Sequence, residues 1–240
     1  GCRPHEKGVR ISGAWISGIL DLEACRVFRD IGLNDCHFEE TPVLRAAIIN
    51  RLFLDGSQLP GLQAERLEAR GGIYLRGAEI GGEVNLVQAR LGGNLECDGA
   101  TLRVSDGYAL LAPSLEVRNV LARGTTMRGG INLSGAGLTA DLDCAGAAIT
   151  RVEGTAIEAS EAEIRGSVVL RSARLEGEAR LSAAQIGGDV DASGAVLGVP
   201  GGIARHTLAD TSAASPAPRR GRRRAVQVLG LMAMAGGIAH

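Results

Sequence analysis

The sequence has very few aromatic side chains, which make up 2% of its 240 residues: one Trp, two Tyr and three Phe. Rings therefore cannot fill the interior, although aromatic side chains bury the most surface per residue. What remains for a core is Ala, Val, Ile and Leu. We expect a narrow aliphatic interior.

Neither sign of charge is in excess. Lys and Arg number 26, Asp and Glu number 27, and the formal net charge is −1. This balance disfavours a nucleic-acid binder that uses a basic patch, and equally a highly acidic mimic of nucleic acid. We do not expect nucleic acid as a partner.

Motifs for metals, nucleotides and nucleophilic catalysis are also missing. The five cysteines form no CxxC or Cys/His metal spacing, and no GxGxxG lies between a strand and a helix. Four of the cysteines replace Ala or Leu in the repeat described below, which is typical of small buried hydrophobes. We predict a reducing compartment, taken as the cytoplasm, with no metal, cofactor or catalytic residue. The cysteines are Cys2, Cys25, Cys36, Cys97 and Cys144.

The chain begins at Gly1 without an initiator Met, and its start lacks the basic, apolar and small-residue regions of a signal peptide. We expect a processed or fragmentary piece of a longer protein.

What the sequence does contain is an eleven-residue repeat, clearest from Ala78 to Leu102. Apolar pairs with one residue between partners start alternately six and five residues apart. Eleven residues could also describe a supercoiled helix, but Gly inside a helix costs about 1 kcal/mol relative to Ala. One residue between partners is the period of a strand. The Gly-Gly doublets that disfavour the helix are 71–72, 81–82, 92–93, 129–130 and 187–188.

The two or three residues between pairs leave room only for a corner, so the chain must keep turning one way and stack each coil on the previous one. We predict an all-β, single-stranded parallel β-helix with four short faces and about 22 residues per coil. Thirty-four pairs run from Val9 to Leu197, and among them only Ser57 and Thr125 are polar. At about 4.8 Å per coil, eight or nine coils make a rod of roughly 40 Å.

Two corners are longer than the rest, 103–109 and 150–156, and lie 47 residues apart. We expect them to protrude from one edge, two coils apart, and to be the place for any grafted function. The glycine doublets are interpreted as corners in which Gly tolerates positive φ.

The five-residue steps in LPGLQAERLEA (59–69) and LLAPSLEVRNVLA (110–122) resemble pentapeptide-repeat proteins. The segments 38–47 and 52–62, with IGGEVNL and IGGDVDA, are similar to a bacterial group loosely labelled membrane-associated oxidoreductases. The resemblance covers 6–200. It implies a right-handed quadrilateral β-helix with two inward residues per face, and no catalytic residues, while the many six-residue steps depart from the strict five-residue rule.

The composition changes after the predicted β-helix domain of residues 1–200. Residues 201–218 are rich in Gly, Ala, Ser, Thr and Pro and are interpreted as a linker. The segment 219–240 has a basic cluster followed by about fifteen mostly apolar residues, a pattern that suggests membrane contact but is shorter than the about 20 residues of a span. The alternatives are a helix that caps the rod, since an open end exposes strand edges, and disorder. The basic residues are Arg219, Arg220, Arg222, Arg223 and Arg224.

A few polar groups are weighed as candidate sites. His37 should point outward from the rod near Trp15, one coil away, and this pair is weighed as an aromatic ligand patch. The favoured interpretation is that His37, like His5, His206 and His240, lies on the surface without serving a site. Two carboxylate pairs share an outward face and could serve acid–base chemistry, but a convex rod has no cleft to shift their pKa values. We interpret these pairs as solvated; they are Asp141 with Asp143 and Asp189 with Asp191.

We therefore predict a non-enzymatic structural or interaction scaffold, a rigid rod that presents its outer faces to an unknown protein partner. A tether to a membrane surface through the C-terminal segment is part of this hypothesis. One alternative is a membrane-associated oxidoreductase component, as the label of the similar group implies. A second is a nucleic-acid mimic that inhibits a topoisomerase.

Overall fold

The protein is a four-faced parallel β-helix. The computed structural model describes residues 8–198, except for the side chains of residues 152 and 153. Within this part of the chain the elements are 28 strands and no helix. One coil passes through Ile73, Glu79, Val84 and Arg90, one strand on each face, and the next coil begins at Leu95. The predicted architecture and coil length are confirmed.

Strands on each face pair in parallel with those of the coils before and after. We number the faces in the order in which a coil visits them. The first face holds β1 (Val9–Ser12), β4 (Ile31–Asn34), β7 (Leu52–Phe53), β11 (Ile73–Tyr74), β15 (Leu95–Glu96), β18 (Val120–Leu121), β21 (Leu142–Asp143), β24 (Val168–Val169) and β27 (Val190–Asp191). The second holds β2 (Trp15–Ile16), β5 (His37–Phe38), β8 (Gln58–Leu59), β12 (Glu79–Ile80), β16 (Thr101–Leu111), β19 (Thr126–Asn132), β22 (Ala148–Glu158), β25 (Arg174–Arg180) and β28 (Val196–Leu197).

The third face is the least regular. Single bridges join Asp21, Val43 and Gln63, and the second halves of β16, β19, β22 and β25 continue onto this face. Its own strands are β9 (Leu62–Gln63) and β13 (Val84–Asn85). The fourth face holds β3 (Arg26–Val27), β6 (Ile48–Ile49), β10 (Glu68–Ala69), β14 (Arg90–Leu91), β17 (Glu116–Val117), β20 (Gly137–Leu138), β23 (Glu163–Ile164) and β26 (Gln185–Ile186).

The predicted inward pairs form one thin apolar column. Every pair member from Ile31 to Leu175 is buried, and burial of a Leu or Ile side chain stabilises by about 1.5–3 kcal/mol. The end coils differ, because each has only one neighbouring coil among the described residues: the inward residues Val9 and Val190 are 51% and 39% exposed. The inward prediction is therefore confirmed for the middle coils and only partly for the ends.

The two polar inward residues are satisfied by hydrogen bonds to the neighbouring coil. The Ser57 hydroxyl donates to the Leu33 carbonyl at 2.7 Å and accepts from the Cys36 amide at 3.0 Å. The Thr125 hydroxyl donates to the Cys97 carbonyl at 2.9 Å. Because buried polar groups are costly only when unpaired, the column tolerates both.

Corners of two kinds alternate around each coil. The corners from the first to the second face and from the third to the fourth face are tight. In most of them an amide-to-carbonyl hydrogen bond over three residues closes the turn, whereas at 33–36 the Cys36 amide donates to the Ser57 hydroxyl. Ala89 donates to Leu86 at 3.0 Å, and Ala100 donates to Cys97 at 2.9 Å. The third residue of each turn has positive φ, +56° at Gln88 and +66° at Gly99, as in type II turns.

The other two corners are wide, and they contain the glycine doublets. Our interpretation of these doublets as positive-φ positions is wrong for 71–72, 81–82, 92–93 and 187–188, none of which has positive φ; within 129–130 only Gly129 does, at +120°. The doublets are needed for close stacking, because a Cβ at Gly72 or Gly92 would collide with a carbonyl oxygen of an adjacent coil.

The two long corners lie at the wide corner between the second and third faces, two coils apart as predicted. They are not free loops, because 103–109 and 150–156 lie within the eleven-residue strands β16 and β22. Register shifts in the pairing accommodate the extra residues. Ala109 and Ala156, predicted as corner residues, are fully buried and extend the apolar column under these corners.

Candidate functional site

The outer surface is built of side-chain columns. Each short strand contributes one outward residue per coil, and parallel pairing in register places equivalent residues above one another, about 4.8 Å apart. On the fourth face the central column consists of Arg26, Ile48, Glu68, Arg90, Glu116, Gly137, Glu163 and Gln185.

A groove of about 1230 Å³ runs along this fourth face, from Arg26 to Gln185. Arginine and glutamate side chains lie among apolar and small residues in its lining, and Gly135 and Gly137 leave part of it without side chains. The groove is open to solvent and long enough to follow all eight strands of the face. We call it the fourth-face groove.

Ion pairs lie along the groove, some between adjacent coils and one within a single coil. Arg90 lies between Glu68 and Glu116, with N–O distances of 3.9 and 3.5 Å. Arg165 pairs with Glu163 at 3.1 Å. All five side chains are more than half exposed, so these pairs contribute little to stability, and the charges remain accessible to an approaching partner.

An exposed aromatic side chain marks the N-terminal end of the same groove. Phe28 is 54% exposed, and the guanidinium carbon of Arg70 lies 5.2 Å from the centre of its ring. A cation over a ring face is favourable. The contact combines an apolar surface and a positive charge at one place in the groove.

A smaller hollow of about 480 Å³ lies on the second face beside His37. Trp15 and His37 stack there as predicted, with ring centroids 3.9 Å apart and planes at 21°. The Trp15 indole N–H donates to Glu39 at 2.7 Å, and a His37 ring nitrogen lies 2.9 Å from the Gln58 amide oxygen. Ligand binding at this patch stays a prediction.

A second stacked pair, which we did not predict from the sequence, lies on the first face. Phe53 and Tyr74 stack on the first face with centroids 4.6 Å apart and planes at 8°, and Arg76 lies 5.4 Å from the Tyr74 ring centre. Both residues lie between inward partners, one coil apart in the repeat. Two aromatic residues separated by one coil were the signal in the sequence from which this stack could have been predicted.

The carboxylate pairs are not simply solvated; three of the four carboxylates are structural hydrogen-bond acceptors. Asp141 accepts from the Ser167 amide at 2.7 Å, and Asp143 from the Ala145 amide at 3.0 Å. Hydrogen bonds from the Ser193 hydroxyl and amide, together with Arg171, lower the pKa of Asp191 to about 2. An acid of this pKa stays ionised near neutral pH, which argues against proton transfer there.

The two long corners contact each other across the coil that separates them. The Arg151 guanidinium carbon lies 4.3 Å from the centre of the Tyr108 ring. Glycines of the intervening coil make room, since a Cβ at Gly130 would clash with Thr155 and Tyr108. The edge is thus one connected ridge. A grafted function at this ridge stays a prediction.

The four described cysteines are free thiols. Cys36, Cys97 and Cys144 are buried as predicted, whereas Cys25 is exposed because it lies in the first coil. Burial raises the pKa of Cys97 and of Cys144 to about 12. Neutral thiols of this kind are poor nucleophiles.

Several candidate residues lie outside the described part of the chain: Cys2, His5, His206 and His240. The same holds for the predicted linker and for the segment with Arg219, Arg220, Arg222, Arg223 and Arg224. Among residues 8–198, no group of three or more His, Cys, Asp or Glu side chains is arranged to hold a metal ion. A search of the same residues finds no helix of the length and hydropathy needed to cross a membrane.

Comparisons with known proteins add little to this geometry. No protein-family model matches the chain, and no curated protein matches it significantly. Among solved structures the chain is similar to HetL, a pentapeptide-repeat protein involved in regulation of heterocyst differentiation in the cyanobacterium Nostoc. The identity is 18%, the TM-score is 0.24, and the match covers 78% of this chain and 90% of HetL. The pentapeptide-repeat-like fold stands on the four-faced coil itself.

Proposed function

We propose that this chain is a non-enzymatic interaction scaffold whose outer faces bind a protein partner. The observation that supports it best is the fourth-face groove, which presents exposed charges of both signs and Phe28 along eight coils. An open, elongated surface suits contact with a macromolecular partner better than enclosed chemistry, because small-molecule sites are concave and mostly apolar.

The backbone behind this surface is rigid. Middle strands such as β14 pair on both sides, and the inward residues behind them are buried. A surface held in this way loses little conformational entropy when it binds, which favours affinity. Binding is therefore expected without rearrangement of the coils.

The scaffold proposal is tested with the full chain as bait. Partners captured by the wild type should be lost by an R90E/E163R double variant, which reverses groove charges, and retained by E79R on the second face. Capture that is unaffected by R90E/E163R would contradict the groove as the binding surface.

The competing proposal is an oxidoreductase component, as the similar bacterial group is labelled. Absorbance spectra and elemental analysis of the purified chain distinguish the two. A stoichiometric flavin, nicotinamide or metal would overturn the scaffold proposal.

Charge distribution disfavours the nucleic-acid mimic. Arginines interrupt the aspartates in a column at the first tight corner: Asp55, Arg76, Asp98 and Arg123 follow one another in successive coils, and Arg76 pairs with Asp55 at 2.6 Å. A mimic of duplex DNA needs continuous negative charge, because phosphates recur along the helix axis.

Membrane contact and a cytoplasmic location are also proposals, supported by sequence pattern alone. The arginines of 219–224 would face an anionic lipid surface. Co-sedimentation with vesicles that contain anionic lipid should be stronger for the full chain than for a chain that ends at Pro218. Equal partitioning of the two chains would remove the membrane proposal.

A further inference from the structure

Three outward columns line the fourth face. The central column is the strand column given above, from Arg26 to Gln185. One flanking column occupies the third position of the preceding tight corner: Ala24, Ala46, Arg66, Gln88, Ser114, Gly135, Glu161 and Ala183. The other follows each strand: Phe28, Asn50, Arg70, Gly92, Arg118, Thr139, Arg165 and Gly187.

Charge is distributed unequally along these columns. The first four coils carry four arginines and one glutamate, a net charge of +3, and the last four carry two arginines and three glutamates, a net charge of −1. Each half would therefore attract the opposite half of an identical face. The charged residues are Arg26, Arg66, Glu68, Arg70 and Arg90, then Glu116, Arg118, Glu161, Glu163 and Arg165.

The shape of the face is also complementary to that of an identical face. A two-fold axis that lies in the interface, perpendicular to the rod and between the coils of Arg90 and Glu116, places each column opposite itself with its coils in reverse order. Long side chains then meet positions without side chains on the second copy. The pairs are Arg66 with Gly135, Glu68 with Gly137, Arg118 with Gly92, and Phe28 with Gly187.

The same axis brings Arg90 opposite Glu116 of the second copy, and it does so twice. In the single chain Arg90 already contacts Glu116 at 3.5 Å, so the four side chains would form a network of alternating charge at the centre of the face. Networks with complementary charges fix the register of an interface.

We propose that the fourth face binds the fourth face of a second copy of this chain, running antiparallel, to form a two-fold symmetric dimer. The inference rests on the proposed scaffold function and names the partner of one face. The three columns, with eight positions each, supply a number of residues within the roughly 20–30 that each partner contributes to a stable interface.

Sedimentation velocity of the full chain over a range of concentrations tests this proposal. We expect a dimer for the wild type. R90E and E116R should each weaken self-association at least about tenfold, because each places like charges opposite one another at both central contacts.

A mixture of the R90E and E116R variants decides whether these two residues face each other across the dimer. In a mixed dimer of R90E and E116R, opposite charges face each other again at both central positions, so dimers should return. Contacts within one chain cannot produce this rescue. A mixture that stays monomeric, or a wild type that is monomeric throughout, would overturn the proposal.

A steric variant and a control complete the test. Nothing lies within 4 Å of a Cβ at Gly137, so G137W should leave the thermal melting of the chain unchanged and abolish the dimer by filling the space opposite Glu68. E79R, on the second face, should dimerise like the wild type. Dimers that persist in G137W would place the interface on another face. The scaffold proposal would then survive, since its own tests are partner capture and cofactor content.

Discussion

Tight and wide corners differ in how much the number of residues across them can vary. We count the step from the first inward residue of one face to the first inward residue of the next. Across a tight corner this step is five residues in every coil, as from Leu95 to Ala100 and from Val84 to Ala89. The step across a wide corner is five, six or ten residues, the longest being Ala100 to Leu110 and Ala147 to Ile157.

The reason is the hydrogen bonding. A closed turn with one positive-φ residue has a single length, because an added residue would break the closing bond. Among residues 8–198, wide corners have no such closing bond within the turn and are held by contacts between coils. They therefore accept extra residues where a neighbouring glycine makes room. The tight corners define the four-sided shape, and the wide corners absorb the variation.

The largest expected effect tests whether the apolar column is the same behind both kinds of corner. Leu133→Asp, before a tight corner, and Leu91→Asp, before a wide one, should each destabilise by at least about 3 kcal/mol, because each buries an unpaired charge. Urea unfolding followed by circular dichroism measures this. Asn132→Asp, one residue away and outward, should be nearly silent, and equal losses at residues 132 and 133 would contradict the inward register.

The next prediction compares glycines at the two corners. Gly92→Ala at a wide corner should cost about 1–3 kcal/mol, because its Cβ would collide with the Arg70 carbonyl oxygen. Gly99→Ala at a tight corner meets nothing within 4 Å and should cost only about 1 kcal/mol for the positive φ. Thermal unfolding of both variants checks the order, and a larger loss at Gly99 would reverse our assignment of the two roles.

The third prediction concerns the hydrogen bonds of the Ser57 hydroxyl, at the end of a tight corner. Ser57→Ala removes the acceptor for the Cys36 amide and should cost about 1–3 kcal/mol. Thr125→Ser keeps its hydroxyl and serves as the matched control, with a smaller loss in urea unfolding. Similar losses for the two variants would show that volume, not hydrogen bonding, dominates at these sites.

The last prediction is pH-dependent and concerns Cys97 and Cys144, which both begin tight corners. Their pKa is raised to about 12 in the folded chain, against about 8.5 for an unfolded thiol. Between these two values the unfolded chain loses protons that the folded chain retains, so stability should fall as pH rises. Cys97→Ala/Cys144→Ala should lose less stability than the wild type between neutral and alkaline pH, as measured by urea midpoints.

The sequence predicted the coil length and the inward register because side chains alternate along a strand and the repeat aligns equivalent positions. It did not predict the exposure of Val9 or Cys25, since burial at a given coil depends on the coil stacked against it. It also missed the Phe53–Tyr74 stack and the structural role of Asp141, which arise between coils. Each of these features links residues separated by one coil or more.

Alternating apolar pairs determined by themselves that this chain winds around a thin aliphatic column, because only one arrangement buries every second residue and leaves two or three for each corner. Only the tertiary structure shows that the glycine doublets are needed for close stacking of the coils. It also determines where the long corners pack, and that one face has an elongated groove with charged side chains. These properties depend on distances between neighbouring coils, which the order of residues within a single coil does not contain.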